Sequence, residues 1–334
     1  MGKRLIGGSL ILLCLLSTVI YNIHVYAVKI PEKLYIFADN WVENVVSLPM
    51  DTSKIEKYYS HKQRKYFIEK MSLSPTEDRI AFVVNRDSIW IVGSDGSGLT
   101  CLVCDSKPAD SPEWSKDGKE IIFLSGEGGR QKWFGSETLL GITPDGKQKR
   151  IIGEFDIRKS ASVPFPQWRF SPDGQYMILW QNIPRLGEER YKLTESLIHV
   201  VGVKDGNIVT TYRTKASIFN IQWFPNGKEI LIEELGGRMS GDSRLVFFSI
   251  SGGKRIIYPD AHQDMSPAIH PSGQFIAYLD NYILHFISKD GTKKDQILKA
   301  HDFIGHMIWT AKGDKLVFGL KNKINFFKLK RQAP

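Results

Sequence analysis

The chain has 334 residues, a formal net charge of +9, 42% hydrophobic residues and 24% charged residues. These values are those of an ordinary globular protein, so they exclude a disordered chain and a polytopic membrane protein. A chain of this length forms either two or three average domains or one large all-β domain.

The N-terminus has the pattern of an export or anchor segment. Residues 1–4 are basic, the stretch Leu5–Ile20 carries no charge, and a more polar stretch ends at Ala27. This order is typical of a signal peptide, although an apolar run extended to Val25 reaches about 20 residues, enough to span a bilayer. We therefore expect residues 1–27 to be a cleaved signal peptide or a transmembrane anchor. The protein is then periplasmic or extracellular, and it is tethered if the segment is uncleaved.

Two cysteines follow this segment, Cys101 and Cys104, within a Cys-Leu-Val-Cys stretch. In an extended strand their Cα atoms lie about 10 Å apart, which is too far for a disulfide. A zinc site needs further ligands of the same kind, and the sequence has no second pair. The pattern predicts two free thiols.

Six segments of ten residues share one pattern. Each begins with an apolar residue, usually has Pro at its third position and Gly at its fifth, and ends with three apolar residues. Pro restricts φ and Gly supplies a positive φ, so each segment predicts a tight hairpin that leads into a buried strand. Glu77 replaces the fifth-position Gly in the first segment. The segments are Leu73–Phe82, Trp114–Phe123, Phe170–Leu179, Trp223–Ile232, Ile269–Tyr278 and Trp309–Phe318.

The spacing of these segments predicts the fold. Their fifth positions recur every 40 to 56 residues, and five of the segments are followed by a second strand pattern and an Asp-Gly or Gly-Gly turn. Repeats of this length with four strands each are typical of a β-propeller. We therefore expect an all-β protein with a six-bladed propeller over residues 71–331.

The sixth repeat lacks a fourth strand, and an open blade would leave an unpaired edge. Residues 28–70 offer three strand candidates that could complete it: Leu34–Phe37, Val45–Leu48 and Tyr66–Glu69. We expect one of them to close the ring; a seventh blade built from 28–70 is the alternative. A short helix is predicted after Ser53, where Ser53 and Glu56 form a capping-box pattern.

The motif Ser171-Pro-Asp-Gly174, with Trp168 before it and Met177–Leu179 after it, resembles the WD40-like repeat of the TolB family. The resemblance covers about 71–330 and implies a six-bladed propeller exported to the bacterial periplasm. TolB binds a peptidoglycan-associated lipoprotein and other envelope proteins. The family also has a mixed α/β domain before its propeller, for which residues 28–70 are too few. Similar propellers serve peptidases that carry a separate hydrolase domain, but no Gly-x-Ser-x-Gly motif is present here.

The repeat pattern also predicts which face of the propeller is variable. The turns between first and second and between third and fourth strands lie on one face, the turn face. The connections between second and third strands and the links between blades lie on the other, the loop face. These connections are lengthened in blades 2, 3 and 4, roughly at Ser125–Ser136, Gln181–Glu195 and Glu234–Ser243.

Arginine and aromatic residues are enriched at protein interfaces, and the lengthened connections contain both. We expect a partner-binding surface on the loop face, with solvated hairpin tips as the alternative. The candidate residues are Arg130, Trp133, Phe134, Arg185, Arg190, Tyr191 and Arg238.

A second candidate site lies where the links between blades reach the mouth of the central channel. His and Asp side chains that converge there can bind a metal ion or transfer protons. No close ligand spacing such as His-x-x-x-His supports a metal, so no metal site is predicted. The candidate residues are Asp110, His262, Asp264, His301 and His306.

The sequence therefore predicts an exported, monomeric binding or scaffold propeller of the cell envelope. It would dock a protein or polysaccharide partner on its loop face without a cofactor. The alternative is a metal-dependent lyase, hydrolase or lactonase with its site at the channel mouth. No Gly-rich phosphate loop is present, and export argues against a nucleic-acid partner.

Overall fold

The computed structural model describes residues 34–36, 42–60, 65–104, 109–126, 136–156, 167–184, 193–235, 243–261, 265–300, 304–320 and 322–330. In these residues the protein is a six-bladed β-propeller with one short helix, α1, at Ser53–Ser60. Each blade is an antiparallel sheet whose strands follow one another outward from the channel. The predicted all-β propeller fold is confirmed.

The blades are built from 25 described strands. The innermost are β3 (Ile68–Leu73), β7 (Ala109–Trp114), β11 (Gln167–Phe170), β15 (Ser217–Trp223), β19 (Ala268–Ile269) and β23 (Ile304–Trp309). The second strands are β4 (Arg79–Val84), β8 (Ile121–Gly126), β12 (Tyr176–Pro184), β16 (Glu229–Leu235), β20 (Phe275–Asp280) and β24 (Lys315–Leu320). The third strands are β5 (Ser88–Gly93), β9 (Ser136–Ile142), β13 (Leu193–Gly202), β17 (Ser243–Ser249), β21 (Ile283–Ser288) and β25 (Lys323–Leu329). The outer strands are β6 (Thr100–Val103), β10 (Lys149–Asp156), β14 (Ile208–Thr214), β18 (Lys254–Ala261) and β22 (Lys294–Ala300), with β2 (Val42–Ser47) in blade 6 and β1 (Leu34–Ile36) as a fifth strand of blade 5.

The turn glycines of the repeat have the backbone conformation that their position requires. Their φ angles lie between 65° and 73°, a region that residues with a Cβ rarely adopt. Glu77 occupies the same position with φ at 59°. Its carboxylate accepts a hydrogen bond from the backbone N–H of Ala311, in the corresponding turn of blade 6. The side chain of Glu77 thus joins the first and last blades, which glycine could not do.

The tryptophans that open three of the repeats join neighbouring blades in pairs. The indole N–H of Trp114 in blade 2 donates to the carbonyl of Ser72 in blade 1 at 3.2 Å. Trp223 and Trp309 donate in the same way, to the carbonyl oxygens of Arg169 and Ala268. The apolar core also lies between the blades; around Trp309, for example, Phe286 and Phe327 of blades 5 and 6 are buried together.

Replacing Trp114 with Phe keeps an aromatic ring and the backbone N–H that donates to Ser72 Oγ, but it removes the indole N–H that donates to the Ser72 carbonyl. We expect the free energy of unfolding to fall by about 1 kcal/mol, the net value of one hydrogen bond. Urea unfolding monitored by circular dichroism measures this change. An unchanged free energy of unfolding would show that the indole hydrogen bond to Ser72 contributes nothing.

The ring is closed by the N-terminal segment, as predicted. Strand β2 pairs antiparallel with β25, from Val42 opposite Leu329 to Ser47 opposite Asn325, and becomes the fourth strand of blade 6. The other two strand candidates have different places. Strand β1 pairs with β22 on the outside of blade 5, and the third candidate overlaps β3, the innermost strand of blade 1.

Helix α1 lies between the closing strand and blade 1. Its Ile55 and Tyr59 are fully buried, and the Tyr59 hydroxyl donates to the carbonyl of Val84 at 3.0 Å. The predicted helix is present, but Ser53 does not form the predicted capping box. Its backbone N–H donates to Asp51 at 3.0 Å, and the Thr52 hydroxyl donates to Glu56 at 2.7 Å. The capping residues therefore lie one and two positions earlier.

The prediction of two free thiols was wrong, because Cys101 and Cys104 form a disulfide. Their Cα atoms are 6.1 Å apart rather than about 10 Å. Strand β6 ends at Val103, so Cys104 lies beyond the extended segment and its Cα comes closer to that of Cys101. The hydroxyl of Tyr58 donates to the Cys104 carbonyl at 3.4 Å, which places the disulfide beside α1.

The predicted lengthened connections of blades 2, 3 and 4 do join second to third strands: β8 to β9, β12 to β13, and β16 to β17. Their central residues, 127–135, 185–192 and 236–242, lie outside the described residues. Within the described part of the chain, no helix is both long and apolar enough to cross a membrane.

Candidate functional site: the central channel

The innermost strands line the channel with two rings of side-chain positions. Residues at the same distance from the end of each innermost strand occupy equivalent places around the channel, so they form rings. One ring is polar at each of its five described side chains: Lys70, Ser111, Asn220, Ser266 and His306. The ring closer to the turn face is mixed: Ser72, Glu113, Arg169, Gln222, Ala268 and Ile308.

Irregular backbone coincides with the polar ring. The pairing of four innermost strands shifts register here, in β3, β7, β15 and β23. Ser111 and Ser266 also have positive φ angles, 55° and 40°. Bulges re-aim side chains, and backbone strain of this kind is concentrated at functional sites. The backbone therefore marks the polar ring as a candidate site.

Lys70 links blades 1 and 2 within this ring. Its Nζ donates to Asp110 Oδ2 at 3.1 Å and to Ser111 Oγ at 2.8 Å. The other carboxylate oxygen of Asp110 accepts the backbone N–H of Ser111 at 2.7 Å. Both oxygens of Asp110 therefore have partners, and the carboxylate is held by a lysine of the neighbouring blade.

His306 is held as a neutral imidazole. Its Nδ1 accepts the backbone N–H of Met71 at 3.3 Å, so the ring proton is on Nε2. Burial, together with the positive charges of Arg169 and Lys70, lowers the pKa of His306 to about 3, and Asp110 opposes this shift. At neutral pH this histidine can donate a hydrogen bond from Nε2, but its Nδ1 already accepts the N–H of Met71.

Glu113 and Arg169 form an ion pair in the ring closer to the turn face, with 3.6 Å between their charged atoms. Burial raises the pKa of Glu113, and the Arg169 guanidinium opposes this shift. The Gln222 side chain joins blades 4 and 5 nearby: it donates to the Pro267 carbonyl and accepts from the Ile269 N–H.

These groups surround a cavity of about 300 Å³ in the half of the channel toward the turn face. Glu113, Arg169, Gln222 and His306 supply its polar atoms, while Trp223 and Trp309 supply aromatic walls. Phe170, which is 44% exposed, also lines it. The lining therefore combines apolar walls with several converging polar groups, a combination that suits a binding site.

The structure describes two of the five predicted channel-mouth residues, Asp110 and His306. Asp110 and His306 lie close enough to influence each other's charge, with Lys70 beside both. His262, Asp264 and His301 lie outside the described residues, as do all seven predicted loop-face residues. Among the residues that are described, no three His, Cys, Asp or Glu side chains are grouped to hold a metal ion.

Sequence reasoning missed Lys70, Glu113, Arg169 and Gln222. The repeat alignment begins at the last residue of each innermost strand and therefore stops short of them. Extending it three residues toward the N-terminus reveals a position that is polar in all six repeats and that contains Lys70; Glu113, Arg169 and Gln222 lie at a mixed position that also holds Ala268 and Ile308. The signal for Lys70 was therefore available without a structure, whereas the other three positions carry no such signal.

The fold is a six-bladed β-propeller similar to those of TolB and of WD40-type proteins. The chain is similar to the Tol-Pal system protein TolB of Francisella tularensis, with 23% identity over 320 residues, 82% of this chain and 70% of that one. It is also similar to dipeptidyl-peptidase 5 of Porphyromonas endodontalis, with 34% identity over 90 residues, 24% of this chain and only 12% of that one. No protein-family model matches the chain.

Solved structures support the same fold. TolB from Acinetobacter baumannii superposes with a TM-score of 0.51 at 15% identity, over 80% of this chain and 64% of that one. The gluconolactonase XC5397 from Xanthomonas campestris gives a TM-score of 0.59 at 11% identity, over 89% of this chain and 94% of that one. At these identities the likeness establishes the propeller fold alone.

The buried histidines predict how stability depends on pH. Burial and the charge of Lys294 lower the pKa of His285 to about 4, with Asp280 opposing, and the pKa of His306 is about 3. An unfolded histidine has a pKa of about 6.5, so below that pH the unfolded state binds more protons than the folded state. The stability that depends on the neutral state of these histidines is therefore fully present above pH 6.5. We expect each histidine to lower it by about 1.4 kcal/mol per pH unit as the pH falls from 6.5 toward 4.

Urea unfolding at several pH values measures this slope, with His285→Gln as the comparison. His285 Nδ1 makes no hydrogen bond in the structure, so the variant removes a proton-binding group without removing a bond at that atom. Its slope between pH 6.5 and 4.5 should be shallower than that of the original protein by about 1.4 kcal/mol per unit. Identical slopes would contradict a neutral buried His285.

Proposed function

We propose that this protein is a non-catalytic binding propeller of the bacterial cell envelope, exported from the cytoplasm and monomeric, that holds a protein partner. The similarity to TolB, a Tol-Pal system protein, over most of the chain supports the envelope location and the scaffold role. The Cys101–Cys104 disulfide fits an oxidising compartment outside the cytoplasm. Residues 1–27 would direct export as a signal peptide or remain as an anchor.

The observation that carries the binding role is the cavity in the turn-face half of the channel. Its Glu113–Arg169 pair and the neutral His306 offer directional hydrogen bonds, while Phe170 and Trp223 offer apolar contact. Such combinations of an arginine and aromatic side chains anchor partners at protein interfaces. We assign this cavity as the place where a loop or side chain of the partner inserts.

The predicted loop-face residues provide a second docking surface on the same protein. Trp133 and Tyr191 belong to the lengthened connections of blades 2 and 3, where a protein or a polysaccharide would have contact with aromatic and arginine side chains. The two surfaces open on opposite faces of the ring, so they can be tested separately.

Capture of the partner from envelope extracts by immobilised variants tests the proposal. Phe170→Ala should weaken capture about thirtyfold, the effect of losing about 2 kcal/mol at an interface anchor. Ile208→Ala is the matched control, because Ile208 is also exposed but lies on the outer strand of blade 3. The melting temperature of each variant is measured in parallel, and both should remain close to that of the original protein.

Trp133→Ala combined with Tyr191→Ala separates the two surfaces. If this double variant loses capture and Phe170→Ala does not, the partner docks on the loop face and the assignment to the cavity is wrong. If neither variant differs from Ile208→Ala, the binding role itself loses its support.

A metal-dependent enzyme is the second candidate. It is favoured by the electrostatic interaction between Asp110 and His306 in the channel, and by a fold that is shared with a gluconolactonase. Elemental analysis of the purified protein discriminates the two functions. We expect no stoichiometric divalent ion and no lactone hydrolysis. A bound ion that is lost in Asp110→Asn, together with lost hydrolysis, would replace the binding role with catalysis.

A further inference from the structure

The polar groups that line the channel cavity differ in how far they are engaged. The Gln222 side chain is bound at both ends to the backbone of blade 5. The indole N–H groups of Trp223 and Trp309 donate to carbonyl oxygens of the neighbouring blades. These side chains therefore already have partners for their polar atoms. The polar groups left to contact a bound molecule belong to Glu113, Arg169 and His306.

Arg169 has most of its hydrogen-bonding capacity unused. A guanidinium carries five N–H donors in a planar fork. Among the described residues its charged partner is Glu113, and the 3.6 Å between the two charged atoms is longer than a hydrogen bond. The side chain is one third exposed and lines the cavity. Its donors can therefore reach a group that enters there.

His306 supplies a further donor to the same cavity. Its Nδ1 accepts the N–H of Met71 at 3.3 Å, and its Nε2–H makes no hydrogen bond with the part of the chain that the structure describes. Burial lowers its pKa, and the charges of Arg169 and Lys70 lower it further, so the ring stays neutral and both cations lie close to it. The cavity therefore offers donors from two neighbouring side chains, which suits a ligand that accepts hydrogen bonds.

Glu113 is the described cavity residue that opposes a second carboxylate. Burial raises its pKa, although the Arg169 guanidinium opposes this shift. When two carboxylates share one site, one of them retains a proton, and a protonated carboxyl group donates a hydrogen bond. The carboxylate of Asp110 is already held by Lys70 at 3.1 Å. A protonated Glu113 would therefore act as a third donor instead of repelling an acidic ligand.

The apolar lining restricts what lies beside that ligand group. Trp223 and Trp309 form walls of the cavity while their N–H groups are engaged elsewhere, and Phe170 is 44% exposed beside them. Aromatic rings pack favourably against one another in offset or edge-to-face arrangements. An aromatic side chain next to the acidic group would therefore find contact in this cavity.

We propose that the group held in the cavity is the carboxylate of an Asp or Glu side chain of the partner, next to an aromatic residue. Arg169 binds this carboxylate with two parallel N–H donors, and His306 donates a third hydrogen bond from Nε2. Glu113 takes up one proton from solvent as the carboxylate enters. The neighbouring aromatic side chain packs against Phe170 and Trp223. This inference rests on the proposed function, because it specifies what the partner inserts.

Three blocked dipeptides test the chemistry of the cavity directly. Acetyl-Phe-Glu-amide carries a carboxylate only on its Glu side chain, acetyl-Phe-Gln-amide has the same shape without the charge, and acetyl-Phe-Lys-amide carries an ammonium. Each is titrated into the full-length protein at pH 7 while tryptophan fluorescence is followed, because two tryptophans line the cavity. We expect a Kd for the Glu peptide at least tenfold lower than for either of the others. Equal affinities, or tightest binding of the Lys peptide, would overturn the proposal.

Substitution of Arg169 ties this preference to the cavity. Arg169→Met should reduce the preference for the Glu peptide to less than twofold, whereas Arg169→Lys, which keeps the charge but not the fork, should retain part of it. Lys228→Met is the matched control, because it removes one exposed cation from the turn face outside the cavity. It should keep the full preference. A preference that survives Arg169→Met, in a variant with an unchanged melting temperature, would contradict the assignment.

Glu113→Gln gives an effect of opposite sign. This variant needs no proton uptake, so at pH 8 it should bind the Glu peptide at least threefold more tightly than the original protein does. Weaker binding would show that Glu113 attracts the bound group, as it would attract an ammonium, and would overturn the proposal.

Capture of the partner separates this inference from the proposed function. If Phe170→Ala loses capture and Arg169→Met does not, the inserted group is not acidic, and the inference fails while the binding role stands. If Phe170→Ala captures the partner as well as the original protein does, the proposed function fails. The peptide preference then decides the chemistry of the cavity by itself.

Discussion

Removal of residues 28–47 is expected to abolish the monomeric folded state. The deletion removes β2, and with it the hydrogen bonds to β25 and the buried side chain of Val45. Each lost hydrogen bond costs about 1 kcal/mol and each buried aliphatic side chain about 2 kcal/mol. Their sum approaches the whole stability of an average domain, and the exposed edge of β25 can pair with another chain. Size-exclusion chromatography should give aggregates.

The matched control is removal of residues 28–36 alone. This deletion takes away β1, which covers the outside of blade 5, but leaves β2 and the closed ring in place. We expect a monomer whose melting temperature falls by a few degrees at most. If the larger deletion also gave a monomer with an unchanged melting temperature, closure by β2 would not be required for stability.

The second large effect is expected at Glu234, which is fully buried at the end of β16. Arg244 donates to its Oε2 through Nε at 2.6 Å and Nη2 at 2.5 Å, and the Tyr212 hydroxyl donates to the other oxygen. Burial and the Glu234 carboxylate raise the pKa of Tyr212, so its hydroxyl remains a donor. Arg244→Met leaves the carboxylate without its main charged partner and should cost about 3 kcal/mol of stability.

A double variant isolates the cause of that loss. Glu234→Gln combined with Arg244→Met removes both charges, so it should regain most of the stability that Arg244→Met loses. Urea unfolding of the original protein, both single variants and the double variant measures the coupling. A double variant that is less stable than Arg244→Met would contradict a buried charge as the source of the loss.

The repeat pattern predicted most of the fold. The shared pattern, with Pro at most third positions, Gly at every fifth position except Glu77 and three apolar residues at the end, placed the hairpins of all six blades. It could do so because tight turns and buried strands depend on local residue chemistry. For the strand that closes the ring, the sequence offered three candidates and did not distinguish among them. All three candidates are short segments with several apolar residues. What distinguishes the segment of Val45 is its pairing with β25, where Val45 lies opposite Phe327, a residue 282 positions later in the chain.

The parts that the sequence did not predict depend on three-dimensional neighbours. The disulfide was excluded by assuming a strand through Cys104, whereas β6 ends one residue earlier. The Glu113–Arg169 pair joins two blades and has no spacing of its own in the chain. Only the fact that innermost strands come together in a ring makes these two residues neighbours.

The most direct test of the binding role is photo-crosslinking in living cells. A photoreactive phenylalanine analogue replaces Phe170 at the cavity or, as the control, Ile208 on the outer strand of blade 3. We predict one discrete adduct with an envelope protein from position 170 and none from position 208. No adduct at 170, or the same adducts from both positions, would contradict the assignment of the channel cavity as the site where this propeller holds its partner.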